Sequence, residues 1–313
     1  MNRINTVMLC AALAATCGMP RLLAQETTEE GYSRTVFMEE FTTEMCNNCP
    51  AAAEKVHNIL QHPDYAGRLL VVCHHIGFLT DWLTLPEDTE YLWLYNSDKK
   101  FAPGLMIDRV PTLEQTSVVF GAYLPTEEDI RAEIDKRLVI PSPVNVKVSA
   151  TVEDGRVTVD VEGEKTSEKQ NNTMITVYLV ENNIKADFQS GADDGYIHQH
   201  VTRAMNKAWG EPIEWKDDRF TYQYAFDLDD TWKINDMEVV AIVNRDLPSN
   251  VLKCEVLNSD AVSLGNSGIA NVTGNSRTVA AYYDMQGRKL NDRPGSGLYI
   301  TVYSDGSVKK VLR

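Results

Sequence analysis

Two cysteines with two residues between them, Cys46 and Cys49, lie where a predicted strand is followed by a predicted helix. Residues 35–41 form a β-rich run, and residues 50–60 combine an early proline, Pro50, with apolar residues at helical spacing. Positions i and i+3 at a helix start bring two sulfurs within bridging distance. The order strand, CxxC, helix therefore constrains the fold and chemistry of this chain more than any other feature.

The first residues are predicted to be an export signal. Asn2 and Arg3 precede an apolar run over residues 7–15, and a cleavage site follows at Ala24, which indicates a signal peptide over residues 1–24. The run is too short to cross a bilayer, and no later stretch approaches the ~20 apolar residues of a membrane helix. A lipoprotein processed at Cys17 is the alternative, although Thr16 is a poor residue before that cysteine.

Charge and cysteine content narrow the class of protein. The 313 residues include 45 acidic and 30 basic side chains, a formal charge of −15, which gives no basic surface for nucleic acid. Two of the six cysteines lie in the predicted leader, and the four that remain are too few for a disulfide framework. Cys73 and Cys254 stand among apolar residues and are predicted to be core thiols.

The elements that follow the CxxC predict a thioredoxin-like domain over residues 32–140. Residues 68–75 read as a buried strand, and a capping signal at Thr84 predicts a helix through Tyr95. Two short strands, residues 105–107 and 117–120, precede a last helix with an apolar stripe. The resulting order β-α-β-α-β-β-α is that of the thioredoxin fold.

A predicted linker at residues 141–143 separates this domain from a β-rich region. Seven alternating segments predict an antiparallel, immunoglobulin-like β-sandwich over residues 144–264. They are residues 144–150, 156–161, 175–180, 196–202, 220–226, 239–243 and 252–257. A small C-terminal β-unit is predicted over residues 270–313.

The position of the CxxC favours redox chemistry over metal binding. Neither a second CxxC nor a well-spaced Cys and His pair completes a zinc site. The positive end of the helix would stabilise a thiolate at an exposed Cys46, which attacks, and Cys49 would then resolve the mixed disulfide. A purely structural disulfide is the alternative.

Residues 40–50 resemble the active-site stretch of thioredoxin-like proteins, with an acid, Glu40, six residues before the first cysteine. Met45 stands where those proteins have tryptophan, and Asn47 and Asn48 replace Gly-Pro. Residues 41–50, 101–109 and 196–203 resemble the outer-membrane-protein-28-related family of Bacteroidota. That resemblance implies a thioredoxin-like domain followed by a β-domain, within residues 35–264.

The thioredoxin resemblance also implies a cis-proline facing the CxxC, for which Pro103 and Pro111 compete. We favour Pro103 because an apolar strand follows it directly and leaves room for a hairpin. Glu40 alternates with Val36 and Met38, so it is predicted to be a buried acid that takes a proton from Cys49. An exposed strand-end glutamate is the alternative.

Two histidine pairs are candidate sites. His198 and His200 share one face of a predicted strand, but two ligands do not make a metal site, so we predict a hydrogen-bonded structural pair. His74 and His75 are predicted to be solvated residues at a strand end, outside the site. No metal and no cofactor is predicted.

Near the end of the chain, residues 283–288, 297–300 and 309–311 resemble the C-terminal sorting tail of the type IX secretion pathway of Bacteroidota. A plain β appendage is the alternative. Either reading places the protein in the cell envelope of a Gram-negative bacterium, in the periplasm or at the outer membrane or cell surface.

Two functions follow from these features. The first is an exported thiol-disulfide oxidoreductase that acts on protein thiols or disulfides of the envelope through Cys46, Cys49, Glu40 and Pro103. The second is an envelope or outer-membrane binding or scaffold protein with a thioredoxin fold, in which the CxxC is a structural disulfide. Neither function involves nucleic acid or a membrane-spanning segment.

Overall fold

Strands account for most of the regular structure. The structure, a computed structural model, describes residues 27–28, 31–166, 170, 172–246, 250–265, 279–284, 288–290, 294, 298–303 and 308–312. Within them the chain is mostly β-sheet with a few helices. The predicted signal peptide lies outside the described residues, as do residues 285–287 and 297 of the predicted sorting tail.

The first half combines a sheet with two α-helices. Its strands are β1 (Thr27–Thr28), β2 (Gly31–Tyr32), β3 (Val36–Phe41), β4 (Leu69–His74), β5 (Gly104–Ile107) and β6 (Phe120–Gly121). Helix α1 spans Cys49–Leu60, α2 spans Glu127–Leu138, and the helix predicted from Thr84 is a 3-10 helix over Pro86–Tyr95. β3 pairs in parallel with β4 and antiparallel with β5, which gives the order β4-β3-β5-β6.

Both α-helices pack on one face of this sheet. Val36 and Met38 of β3 contact a core to which α1 contributes Val56 and α2 contributes Ile130 and Ile134. The opposite face carries Phe37 and Phe41 and packs on the 3-10 helix. Every residue of β3 is buried, so the strand has one apolar layer on each side.

The second half is built of two β layers. Strands β7 (Val144–Glu153), β8 (Arg156–Lys165) and β14 (Arg219–Asp227) form one antiparallel sheet in the order β14-β8-β7. The other layer contains β9 (Thr173–Glu181), β12 (Val201–Met205), β13 (Glu211–Pro212), β15 (Met237–Arg245) and β16 (Val256–Ser263). A two-stranded pair, β10 (Ile184–Lys185) with β11 (Ile197–His198), lies beside them. The apolar faces of the two layers enclose a core rich in valine.

One sheet runs through both halves of the molecule. Strand β12 pairs antiparallel with β9 and parallel with β4, where Val201 lies opposite Cys73. The Cys73 N–H donates to the His200 carbonyl at 2.6 Å. The order along this sheet is therefore β16-β15-β9-β12-β4-β3-β5-β6.

The middle residue of the predicted linker is buried and paired with a distant strand. Ser142 has no exposed surface, and it exchanges two backbone hydrogen bonds of 2.8 Å with Tyr32. These bonds satisfy the backbone groups that an exposed linker would present to water. The linker prediction for residues 141–143 was wrong in this respect, because the pairing partner lies over a hundred residues away in the sequence.

Buried ion pairs also join the two halves. Asp108, after β5, accepts from Arg34 at 3.1 Å and from Arg137 at 2.8 Å. Arg137 also reaches Glu255 of the second half, at 2.6 Å. Arg34 lies 3.8 Å from the same Glu255 carboxylate, so the two arginines that the buried Asp108 holds in place also pair with the partly exposed Glu255 of the second half.

The strand predicted over residues 252–257 begins only at Val256. Val251–Lys253 form a 3-10 turn, in which the Asn250 side chain accepts from the Leu252 N–H. Cys254 closes this turn and is buried.

The C-terminal residues form a separate antiparallel sheet in the order β18-β17-β19-β20. Its strands are β17 (Val279–Tyr283), β18 (Lys289–Leu290), β19 (Leu298–Tyr303) and β20 (Val308–Leu312). Among the residues described above, no helix has the length and apolar character needed to cross a membrane.

Candidate functional site

Cys46 and Cys49 form a disulfide with an S–S distance of 2.07 Å and a Cα–Cα distance of 5.4 Å. After β3 ends at Phe41, a turn follows in which the Cys46 N–H donates to the Thr43 carbonyl at 3.0 Å. Helix α1 begins at Cys49, and Pro50 fits there because the first helical N–H groups have no partner within the helix. Cys49 is thus the first helical residue, and Cys46 lies in the turn before it.

The two sulfur-bearing side chains are both enclosed. Cys46 is 3% exposed and Cys49 is 1% exposed, whereas Asn47 and Asn48 between them face solvent. The expectation of an exposed Cys46 on the open end of a helix was therefore wrong. The local sequence describes only the turn, whereas the atoms that cover Cys46 belong to a distant part of the chain.

Pro103 lies at the same end of the sheet as the disulfide. Its successor Gly104 pairs with Phe41, the last residue of β3, and the Pro103 carbonyl accepts from the Ala122 N–H at 3.0 Å. The Ala102–Pro103 peptide bond is cis, and it is the one cis bond among the described residues. Pro111, the competing proline, follows a tight turn in which Asp108 and Arg109 have positive φ.

Glu40 is a buried acid on the α1 side of the sheet. It shares its face with Val36 and Met38, which pack on α1, and it lies opposite Cys73 in the parallel pairing of β3 and β4. The side chain is fully desolvated, and its Oε1 has no hydrogen-bond partner among the described residues. Burial raises the pKa of Glu40 to about 7, so the carboxyl can hold or release a proton near neutral pH.

Two further titratable groups face Glu40. Burial, and then the negative charge of Glu40, raises the pKa of the Cys73 thiol well above its ordinary value. The same two causes, in the same order, raise the pKa of the Tyr196 phenol, which comes from the loop before β11. Both groups are therefore neutral at physiological pH, and Glu40 is the group of the three that titrates there.

The neighbouring residue, Glu39, has the opposite electrostatic environment. Arg109 donates to it twice, at 2.8 and 2.6 Å, and the His74 Nε2 lies 3.5 Å away. Burial alone would raise the pKa of Glu39, but Arg109 and then His74 hold it at about 2. His74 in turn contacts Asp88 at 2.9 Å, so it is a buried partner in an ion network rather than a solvated strand end.

A histidine pair lies near the turn between β3 and α1 that holds Cys46, which we call the CxxC turn. It is not the predicted pair. His200 has a φ of 57° and lies between β11 and β12, so it does not share a strand face with His198. His198 instead packs edge-on against His75 with ring centroids 4.9 Å apart. Burial, followed by the charge of His75, lowers the pKa of His198 to about 4, so this ring is neutral.

Acidic side chains surround that pair. His75 contacts Asp81 at 2.8 Å, and Asp81 also accepts from the Glu44 N–H at 2.8 Å. Glu44, two residues before Cys46, accepts from the Trp82 indole at 2.8 Å and lies 4.0 Å from the His198 Nε2. Over the described part of the chain, no group of three His, Cys, Asp or Glu residues is placed to hold a metal ion.

Residues 186–195 of the second half lie against the turn that holds Cys46. The Gln189 Nε2 donates to the carbonyls of Cys46 at 3.2 Å and Thr43 at 3.4 Å. The Ser190 N–H donates to the Glu44 carbonyl at 2.8 Å. Sequence reasoning missed these residues because nothing in their composition marks them as neighbours of a CxxC.

The two remaining cysteines, Cys73 and Cys254, are free and buried. The Cys254 Sγ lies 2.8 Å from the Val251 carbonyl, and burial raises its pKa to about 11. Both were predicted to be core thiols, and their burial agrees with that prediction.

The fold and the site define a class of mostly-β proteins in which a CxxC disulfide lies between an inner strand of a long mixed sheet and the helix that follows that strand. The chain belongs to the Omp28 outer membrane protein family, whose profile, described as outer membrane protein Omp28, matches residues 106–262. The family predicted from the sequence motifs is thereby confirmed, and the protein is an exported protein of the cell envelope. A comparison with curated protein sequences gives no match.

The solved structures that are similar to this chain include two from Porphyromonas gingivalis. HBP35 of Porphyromonas gingivalis is 20% identical, with a TM-score of 0.66, over 91% of this chain and 100% of that one. A domain of the outer membrane lipoprotein Omp28 from Porphyromonas gingivalis is also 20% identical, with a TM-score of 0.29, over 40% of this chain and 91% of that one. At this level of identity the likeness to HBP35 concerns the fold.

Proposed function

We propose that residues 32–140 form a thioredoxin-like domain that follows a signal peptide over residues 1–24. The sheet order β4-β3-β5-β6, in which the first strand of the unit lies between the second and the third, supports this assignment. So do the two α-helices on one face and the cis bond before Pro103. Residues 144–264 are an immunoglobulin-like sandwich in this proposal, and residues 270–313 are a β-unit that resembles a type IX sorting tail.

The protein in this proposal exchanges thiols and disulfides with other proteins of the envelope. The observation that carries the proposal is Glu40, a buried carboxyl whose Oε1 finds no hydrogen-bond partner among the described residues and whose pKa is raised to about 7, on the side of the sheet that packs against α1. A group with a pKa near the working pH is best suited to donate and accept protons during catalysis. A purely structural disulfide does not need a buried acid beside it, and burying a carboxyl that lacks a hydrogen-bond partner costs stability.

Exchange begins here from the oxidised pair. A partner thiolate attacks the Cys46 sulfur, the Cys46–Cys49 bond breaks, and the departing Cys49 sulfur takes the proton held by Glu40. A second partner thiolate then attacks the mixed disulfide, which leaves the partner oxidised and both cysteines reduced. In the reverse direction Cys46 attacks a partner disulfide, and the Glu40 carboxylate accepts the Cys49 proton as Cys49 resolves the intermediate.

Trapping of the mixed disulfide tests this function. Replacing Cys49 by serine removes resolution and leaves Cys46 able to form a mixed disulfide, so covalent complexes with envelope proteins should accumulate and disappear on reduction. The Cys46→Ser variant is the matched control and should trap nothing. A Cys49→Ser protein that traps nothing under oxidising conditions would remove the exchange function.

A second candidate function is an envelope binding or scaffold protein in which the disulfide is structural. The burial of both sulfurs favours it, since a reactive cysteine is normally accessible. The reduction potential of the Cys46–Cys49 pair separates the two functions. A potential below about −300 mV marks a structural disulfide, and a higher one marks an exchanging pair.

A further inference from the structure

The 186–195 segment is a loop closed at its base. Strands β10 and β11 pair on either side of it, and the Ala186 N–H donates to the Tyr196 carbonyl at 2.9 Å. The base positions the loop, and the loop itself reaches from the second half of the chain to the CxxC turn of the first half. It is therefore an element that can change position without disturbing either core.

The contacts of this segment are those of a polypeptide bound beside a CxxC. Gln189 and Ser190 together donate to the carbonyls of Thr43, Glu44 and Cys46, which lie along one edge of the turn. Backbone carbonyls are common to every residue type, so the same edge can accept N–H groups from another extended chain.

Gly191 brings the segment closest to the CxxC. Its φ is +81°, and a Cβ built on it would lie 2.0 Å from the Asn47 carbonyl oxygen. Only glycine permits an approach this close, since a methyl group would overlap the backbone between the two cysteines. With Gln189 only 6% exposed, the segment covers the turn that holds Cys46.

Hydrogen bonding between the 186–195 segment and the CxxC turn is incomplete. Gln189 Oε1 and Thr43 Oγ1 are both buried, and neither has a hydrogen-bond partner among the described residues. An unsatisfied buried polar atom costs free energy, which lowers the cost of moving the segment away. Exposed apolar side chains border it, namely Met45 of the CxxC turn and Phe188 of the segment.

We propose that the 186–195 segment occupies the polypeptide-binding surface beside Cys46 and competes there with an extended, cysteine-bearing segment of the partner protein. The proposal rests on the exchange function proposed above. The partner's backbone N–H groups take the places of the Gln189 and Ser190 donors on the three carbonyls. The disulfide then reacts only while the segment is displaced, which explains how a buried pair can exchange.

Substitution of Gly191 by alanine tests directly whether the 186–195 segment shields the Cys46–Cys49 disulfide. The added methyl group must push the segment off Asn47, so the Cys46–Cys49 disulfide of the full chain should be reduced faster by dithiothreitol. Samples taken over time are quenched with N-ethylmaleimide, which alkylates the reduced cysteines. Mass spectrometry then gives the fraction of protein that has been reduced. We expect an increase of about tenfold, the effect of about 1.4 kcal/mol.

Gly195→Ala is the matched control for this substitution. Gly195 lies in the same segment at a φ of +88°, but nothing lies within 4 Å of a Cβ built on it. Both variants share the backbone strain, and only Gly191→Ala meets the CxxC turn. Gln189→Ala repeats the test without altering a glycine. Its control is Gln223→Ala, at an exposed position of strand β14.

A synthetic extended peptide with one cysteine serves as the second probe, because it reports exchange rather than access. Faster reduction by dithiothreitol together with faster formation of the peptide mixed disulfide supports the proposal. Faster reduction by dithiothreitol without any peptide exchange would show that the 186–195 segment shields the disulfide. It would remove the exchange function, and with it the proposed competition with a partner segment. If each reaction has the same rate in wild type, Gly191→Ala and Gln189→Ala, the 186–195 segment does not shield the disulfide. The exchange function is then unaffected.

Discussion

Replacing Glu40 by glutamine should make the folded protein more stable at alkaline pH and leave its stability unchanged at acid pH. Burial raises the pKa of this carboxyl from 4.5 to about 7. Because one pKa unit corresponds to about 1.4 kcal/mol, ionising Glu40 in the folded protein costs about 3 kcal/mol. Glutamine has nearly the same shape and cannot ionise, so the variant avoids this cost.

The sign of the pH dependence follows from the direction of the shift. Between about pH 4.5 and about pH 7 the folded protein keeps a proton on Glu40 that the unfolded chain has released. The contribution of this group to stability is therefore complete at low pH and is lost as the pH rises through the folded pKa. Cys73 and Tyr196, which face Glu40, have raised pKa values and stay neutral over this range.

Urea denaturation of the oxidised protein at about pH 4 and about pH 8 measures the effect. The free energy of unfolding of Glu40→Gln should exceed that of wild type by up to about 3 kcal/mol at the higher pH, with little difference at the lower one. Glu39→Gln is the control on the same strand, since the pKa of Glu39 is held at about 2 by its partners. That variant should lose stability at both pH values, because the folded pKa of Glu39 lies below both of them. A Glu40→Gln difference that does not vary with pH would refute the buried-acid argument.

Other contacts lead to further predictions. Arg109→Met should lower the free energy of unfolding by about 3–5 kcal/mol because it removes both hydrogen bonds that the buried Glu39 carboxylate accepts from Arg109, and adding Glu39→Gln should recover part of this loss in the same urea assay. Cys73 and Cys254 should resist N-ethylmaleimide in the native protein and react once it is unfolded, whereas rapid native labelling would contradict their burial. A nonspecific protease should spare the chain around Ser142, which is buried and paired with Tyr32, so early cleavage there, mapped by mass spectrometry, would contradict the pairing.

The sequence by itself determined the local features of the site. The CxxC before an amphipathic helix, and the alternation that places Glu40 on the face of Val36 and Met38, depend on residues a few positions apart. Helical and strand periodicity are properties of the backbone, so they can be read from short windows of sequence. The family was recognised in the same way, from short motifs whose residues are contiguous.

The tertiary structure alone decided how the site is enclosed and charged. Gln189 reaches the Cys46 carbonyl across 143 positions of sequence, and no pattern near either residue signals the contact. Glu39 and Glu40 are adjacent and of one type, yet Arg109 holds Glu39 ionised while the Glu40 Oε1 has no hydrogen-bond partner within the described part of the chain. Whether a buried carboxyl carries a charge depends on what the folded chain brings to its face of the sheet, and that is fixed by strand pairing between distant segments rather than by neighbours in sequence.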